Sequence, residues 1–288
     1  MNSDKYKKAL AAHSFNNIDA QVEDAVNKII ADHYAENNNI EVYKRIYNCI
    51  DLTTLSSTDS KEKVWKFTER VNKFEDEHPE LDNVAAICVY PRFAKTVKDI
   101  LIANVGVAAV AAGFPNSQTF TEIKVAEAAL ALADGANEID IVMNLGLFLE
   151  EEYEEMCEEI SEVKETCKDA LLKVILETGA LKSVKNIHDA SILSLYSGAD
   201  FIKTSTGKEY PGASFAAVYT MAQAIKSYHK KTGTKVGLKV SGGVSTTEDA
   251  VKYYTVVKSV LGEEWMNNKL FRVGASRLAD TLLSDIIE

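Results

Sequence analysis

Long apolar runs are missing from this chain, and none approaches the roughly 20 residues needed to span a bilayer. The lysine-bearing start, Met1 to Lys8, is followed by no apolar segment, so a secretory signal is not expected. Cysteine is scarce. Cys49, Cys88, Cys157 and Cys167 form no CxxC pair, which argues against a disulfide framework and for reduced thiols in a cytoplasmic protein. Positive charge is in deficit: 32 Lys and Arg stand against 43 Asp and Glu, a formal net charge of −11. That balance speaks against nucleic-acid or anionic-membrane partners and leaves room only for a local basic pocket. The histidines, His13, His33, His78, His188 and His229, form no HxH or HxxxH pair, so no metal is expected. A P-loop, a G-x-S-x-G elbow and a GxGxxG turn are also lacking, and no organic cofactor is expected.

What is present is a repeat. Short apolar runs rich in Val and Ile fall at 46–52, 84–90, 107–114, 138–144, 171–178, 201–206, 235–241 and 270–274. Each is too short for a helix and reads as a buried strand. Amphipathic segments alternate with them, at 61–74, 121–132, 151–167, 183–197, 214–228, 246–260 and 276–287. Ser183 and Thr246 stand where N-caps belong. Eight strand units spaced by roughly 23–38 residues match an α/β (β/α)8 TIM barrel better than a doubly wound sheet, which carries fewer strands. Residues 41–288 are read as this barrel catalytic domain and residues 1–40 as an N-terminal helical extension. In the extension, Ile18, Val22, Val26, Ile29, Ile30 and Tyr34 recur at helical spacing. Such a face would either cover the bottom of the barrel or make a subunit contact in a homodimer. Asn37-Asn38-Asn39 reads as the link into the barrel.

Two of the strand candidates carry a lysine: Phe201-Ile202-Lys203-Thr204 and Gly237-Leu238-Lys239-Val240. Charge in a strand covered on both faces is costly unless it is paired or neutral. Barrel strands present functional groups at their C-terminal ends, where Asp51, Cys88, Asp140, Lys173 with Glu177, Lys203 and Lys239 fall. By the two-residue period, Lys203 shares a face with Phe201 and Ser205, and Lys239 with Gly237 and Ser241. A free lysine, pKa about 10.4, is neutral in only about one molecule in 2,500 at pH 7. A neighbouring ammonium and desolvation would lower that pKa and make one lysine a nucleophile toward a carbonyl, with Asp140 balancing charge and passing protons. A structural salt-bridge network is the other use of such a trio. Cys88 reads either as a nucleophile or as a small side chain filling the lumen.

A second constellation is suited to phosphate. Thr206-Gly207-Lys208 follows the sixth strand, Gly242-Gly243 the seventh, and Gly274-Ala275-Ser276-Arg277 the eighth. Barrels often cradle phosphate with backbone N–H groups of the last loops, and glycine permits the close approach. Lys208 and Arg277 would add charge at the rim.

The stretches Asp51-Leu52-Thr53-Thr54-Leu55, Ala86 to Pro91, Gly135 to Val142, Leu172 to Gly179, Gly198 to Lys208 and Val236 to Val244 together resemble the deoxyribose-phosphate aldolases, class I Schiff-base enzymes with a barrel fold. The resemblance runs from about Asp51 to Ser276, and its Gly-Ala-Asp-Phe-Ile-Lys-Thr-Ser-Thr-Gly-Lys run is the most specific part. It implies reversible cleavage of 2-deoxy-D-ribose 5-phosphate to D-glyceraldehyde 3-phosphate and acetaldehyde, in deoxyribonucleoside catabolism and without a cofactor. It further implies that Lys203 is the Schiff-base lysine, Lys239 the lysine that perturbs it, and Asp140 the proton-relay aspartate. Asp51, Cys88, Lys173 and Thr206 match substrate-binding positions. Gly207, Lys208, Gly242, Gly243, Gly274 and Ser276 match phosphate contacts. The chain departs from the pattern at Ser245, where some members have arginine, and at Arg277, where those members have serine. It also ends in Ile-Ile-Glu rather than in the tyrosine of some members.

Overall fold

The computed structural model describes residues 4–288. Three helices come first: α1 (Asp4–Ala12), α2 (Asp19–Asn37) and α3 (Ile40–Asn48). The strands then follow as β1 (Ile50–Thr53), β2 (Ala86–Val89), β3 (Gly106–Val110), β4 (Glu138–Val142), β5 (Leu171–Ile175), β6 (Phe201–Lys203), β7 (Gly237–Ser241) and β8 (Phe271–Ala275). Each pairs in parallel with the next and β8 returns to β1, closing an eight-stranded barrel. Between them run α4 (Lys61–Glu77), α5 (Ala94–Ile100), α6 (Thr121–Ala133), α7 (Leu145–Leu149), α8 (Tyr153–Cys167), α9 (Thr178–Leu181), α10 (Val184–Tyr196), α11 (Phe215–Thr232) and α12 (Thr247–Leu261), with α13 (Leu278–Ile287) last. The expected TIM barrel is therefore observed.

Four of the long helices, α4, α10, α11 and α12, start where the sequence offers a cap. The side chains of Ser60, Ser183, Ser214 and Thr246 each accept the N–H three residues on, which satisfies one of the donors a helix leaves open at its start. The strands are short and almost wholly buried, since helices cover their outer face and side chains fill the lumen. No helix among the described residues is long and apolar enough to cross a membrane.

Two expectations for the N-terminal part are corrected. The apolar run from residue 46 does not belong to the first strand: Ile46 and Tyr47 are buried on α3, and β1 starts at Ile50. Asn39 explains the difference, because its side chain caps α3 by accepting the Val42 N–H at 3.1 Å. Asn37 to Asn39 thus ends one helix and starts another instead of leading directly into a strand. Secondly, α2 does not lie under the barrel. Its first residue, Asp19, accepts the Val184 N–H at the start of α10 (2.8 Å), and its last, Asn37, meets Thr255 and Lys258 of α12. The helix therefore runs along the outside of the ring, burying Val22 and Val26. Full burial of such side chains contributes about 1.5–3 kcal/mol each. The shorter α3 packs against α12 and α13, and its last residue, Asn48, bonds Asn83 and Asn268 ahead of β2 and β8.

The lumen has two unlike halves. Toward β2 and β3 it is small and apolar, with Ala86, Cys88, Ala108 and Val110 capped by Leu55, Tyr90 and Phe114. Toward β1 and β4–β8 it is charged.

Candidate active site

The two-residue period of the strands aims Asp51, Glu138, Asp140, Lys173, Lys203, Lys239 and Arg272 into one volume, and all seven are buried. Asp140 is the hub. Its Oδ2 accepts from Lys203 Nζ and from Lys239 Nζ, each at 2.8 Å, and its Oδ1 accepts from Lys173 Nζ at 3.1 Å. Lys239 also lies 2.5 Å from Asp51 Oδ2, and Lys173 lies 3.1 Å from the same oxygen and pairs with Glu138. Arg272 closes the ring below, donating to Asp51 Oδ1 at 2.5 Å and to Glu138 Oε1 at 3.0 Å. Lys203 and Lys239 are register partners on adjacent strands. Gly274, on β8 beside β7, leaves room for Lys239: a Cβ there would stand 3.1 Å from Lys239 Cε and 3.0 Å from Ser241 Cβ, a tight fit.

Partner number separates the three lysines. Burial lowers all three, but Lys173 has three carboxylates and is held well above its ordinary pKa, and Lys239 has two and is also raised. Lys203 has one. Burial, helped by the Lys239 ammonium and opposed by Asp140, leaves it below its ordinary value. Burial alone would raise Asp140, yet the three lysines push it well below the usual carboxylate range. Asp51 is likewise depressed, because Lys173, Lys239 and Arg272 outweigh its burial. Burial raises the Cys88 thiol, which favours the small-residue reading of that side chain over a thiolate nucleophile.

Above the lysines opens a cavity of about 290 Å³. Thr206, Gly207, Lys208, Gly242, Gly243, Gly274, Ser276 and Arg277 all line it, so every residue expected at a phosphate contact is brought together there. Gly242 has φ +92°, and a Cβ on it would stand 2.7 Å from the Gly212 Cα, so the loops after β6 and β7 touch backbone to backbone. Lys208 reaches across the mouth to the Leu55 carbonyl.

Four positions differ from a simple substrate contact. Asp51, Cys88 and Lys173 are buried and do not line the cavity, and Asp140, Lys203 and Lys239 likewise lie beneath its lining. Thr206 lines it, but its hydroxyl and its N–H both donate to Glu177, the N–H at 3.2 Å. Glu177 itself has left-handed backbone, φ +51°, and burial raises its carboxyl. Ser205 Oγ, two residues beyond Lys203, is buried without a hydrogen-bond partner among the described residues. Glu138 and Arg272 are the network members that sequence reasoning passed over. The signal for both was parity: each lies two residues before a recognised position, Asp140 and Gly274, and so on the same face. Among the described residues no group of three or more His, Cys, Asp or Glu is placed to hold a metal ion.

Residues 45–263 match the model of the DeoC/LacD family aldolases. The chain is 42% identical to the deoxyribose-phosphate aldolase of Homo sapiens, over 82% of this chain and 77% of that protein. It is 41% identical to the deoxyribose-phosphate aldolase of Bos taurus, over 83% and 77% respectively. Among solved structures, an aldolase named QR15 superimposes with a TM-score of 0.70 at 28% identity, covering 84% of this chain and 96% of that one.

Proposed function

The chain belongs to the DeoC/LacD family of aldolases, and from that premise we propose that it cleaves 2-deoxy-D-ribose 5-phosphate reversibly to D-glyceraldehyde 3-phosphate and acetaldehyde through a Schiff base on Lys203. The observation that carries the choice of Lys203 is its single carboxylate partner. It is the lumen lysine with the least counter-charge, and it stands beneath a glycine-lined cavity suited to a phosphate.

Neutral Lys203 attacks C1 of the open-chain sugar, and Asp140, bonded to both Lys203 and Lys239, carries protons as water leaves. In the iminium the positive nitrogen draws in the C2–C3 electron pair as the C3 hydroxyl loses its proton. The three-carbon aldehyde phosphate departs, and the enamine left on Lys203 is protonated at carbon and hydrolysed to acetaldehyde. Lys239, held charged by Asp51 and Asp140, keeps a positive field on the nitrogen throughout. We extend the proposal to a role in deoxyribonucleoside catabolism in the cytoplasm.

Borohydride reduction in the presence of deoxyribose 5-phosphate and EDTA, followed by peptide mass mapping, tests it. A two-carbon adduct on Lys203 is expected. A folded protein that gains none with substrate present would refute the Schiff-base reading.

For the phosphate, we propose that Arg277 supplies the rim charge that Ser245 lacks; both line the cavity. A charge-assisted hydrogen bond contributes about 1.5–3 kcal/mol, so Arg277→Ala should raise KM for the phosphorylated sugar roughly 10- to 100-fold and leave that for free deoxyribose nearly unchanged. Equal effects on both sugars would sink this role.

A further inference from the structure

We propose that Glu138 and Arg272 are positioning residues that set the charge balance of the lumen, and that Arg272 is the reason one lysine must release its proton. The inference rests on the reading of Lys203 as the reacting amine. Neither residue lines the cavity. Both lie deeper than the reacting positions, and they face each other through a two-point contact, with Arg272 Nη2 on Glu138 Oε1 at 3.0 Å and Nη1 on Oε2 at 3.2 Å.

Counter-charge decides the matter. Asp51, Glu138 and Asp140 stand against Lys173, Lys203, Lys239 and Arg272, so four cations share three carboxylates. A buried cation without a counter-charge gives up its proton when it can, and a guanidinium cannot. Arg272 thus occupies carboxylate oxygens permanently and leaves three lysines short by one. Were Arg272 absent, three carboxylates would face three ammoniums and every lysine could stay charged. Geometry then selects which lysine yields, and Lys203 has the fewest partners.

The groups that act on each residue are few. Lys203 is faced by Asp140 from β4, Lys239 from β7, Cys88 from β2, and Glu177 from the end of β5. Arg272 is faced by Asp51, Glu138, Lys173, its register partner Lys239, the Cys49 thiol and the Phe201 ring. Glu177 lies at the mouth, engaged with Thr206, and stands outside the deep set. The Cys49 thiol is pushed up to about 12 by burial and so stays neutral through the physiological range.

Reductive methylation with formaldehyde and cyanoborohydride reads the neutral fraction of an amine directly and needs no sugar. Its rate at Lys203, followed by peptide mass against pH, should show a midpoint in the parent protein. Glu138→Gln removes a negative charge and should move that midpoint down by about one pH unit; Arg272→Met removes a positive charge and should move it up by about as much. The double variant restores the balance and should return to the parental midpoint, which a merely structural role would not produce. Midpoints that stay put, or that move the same way in both single variants, would overturn the proposal. Should Arg272→Met fail to fold, the downward shift in Glu138→Gln decides alone, and its absence overturns the idea. Loss of substrate trapping at Lys203 in the parent would instead sink the Schiff-base reading, independently of these midpoints.

Discussion

Replacing Lys203 by leucine is expected to abolish aldol cleavage while leaving the fold at least as stable as before. The two halves of this result have separate causes. Without the amine no imine forms and the electron sink is gone, so turnover should fall by at least ~10⁴-fold, equivalent to about 5.5 kcal/mol or more of lost transition-state stabilisation. The stability half follows from the lowered pKa of Lys203. A base whose folded pKa lies below its unfolded value of about 10.4 reduces stability in full below the folded value, and the penalty fades as pH rises to the unfolded one. Leucine removes that penalty near pH 7 and fills similar space with apolar atoms. Steady-state cleavage assays and thermal melts check both halves. Turnover within about 100-fold of the parent would remove Lys203 from its role, and a large drop in Tm would show that its charge is structural.

Replacing Asp140 by asparagine is expected to damage both activity and stability. Three ammonium groups converge on this one carboxylate. Breaking a buried ionic cluster by removing one partner destabilises by about 3–5 kcal/mol, because the remaining charges stay buried without compensation. Activity should drop by roughly 10³-fold or more, as the proton carrier between Lys203 and Lys239 is lost. The pH dependence has a definite sign. The folded pKa of Asp140 is depressed below the unfolded value, so its stabilisation is fully present above about pH 3.9 and is lost as pH falls toward the folded pKa. The stability gap between the parent and Asp140→Asn, taken from urea unfolding, should therefore be constant from pH 5 to 7. Below about pH 3.9 it should narrow by about 1.4 kcal/mol per pH unit. A gap that does not narrow in acid would show that shape or hydrogen bonding, and not the carboxylate charge, is what the substitution removed.

Much of this architecture could be read before any coordinates. Eight apolar runs with intervening amphipathic segments specify a barrel because local periodicity reports which side of an element is buried. A lysine inside an apolar strand stands out for the same reason, and Lys203, Lys239 and Asp140 were found that way. Glu138 and Arg272 share the inward parity one step below the C-terminal strand ends, where a barrel strand is expected to hold packing residues and not chemistry. The N-terminal helix shows a different limit. Its spacing named the buried face through Val22 and Val26, although Ile18, read as part of that face, stands exposed just ahead of the helix, and a hydrophobic face fits any apolar partner. Only the Asp19 cap on α10 and the Asn37 contacts with α12 locate it on the outside of the ring.

By itself the sequence determined the barrel, the helix starts at Ser183, Ser214 and Thr246, and the set of strand-end residues that face inward, since all of these follow from interactions among residues near one another in the chain. The tertiary structure alone decided which lysine has one carboxylate and which has three, that both donors of Thr206 are held by Glu177, and that Asp51 and Lys173 lie under the cavity instead of lining it. Those outcomes depend on distances between strands far apart in sequence. Coulomb energy varies with such distances and with burial, and neither is written in the local pattern of the chain.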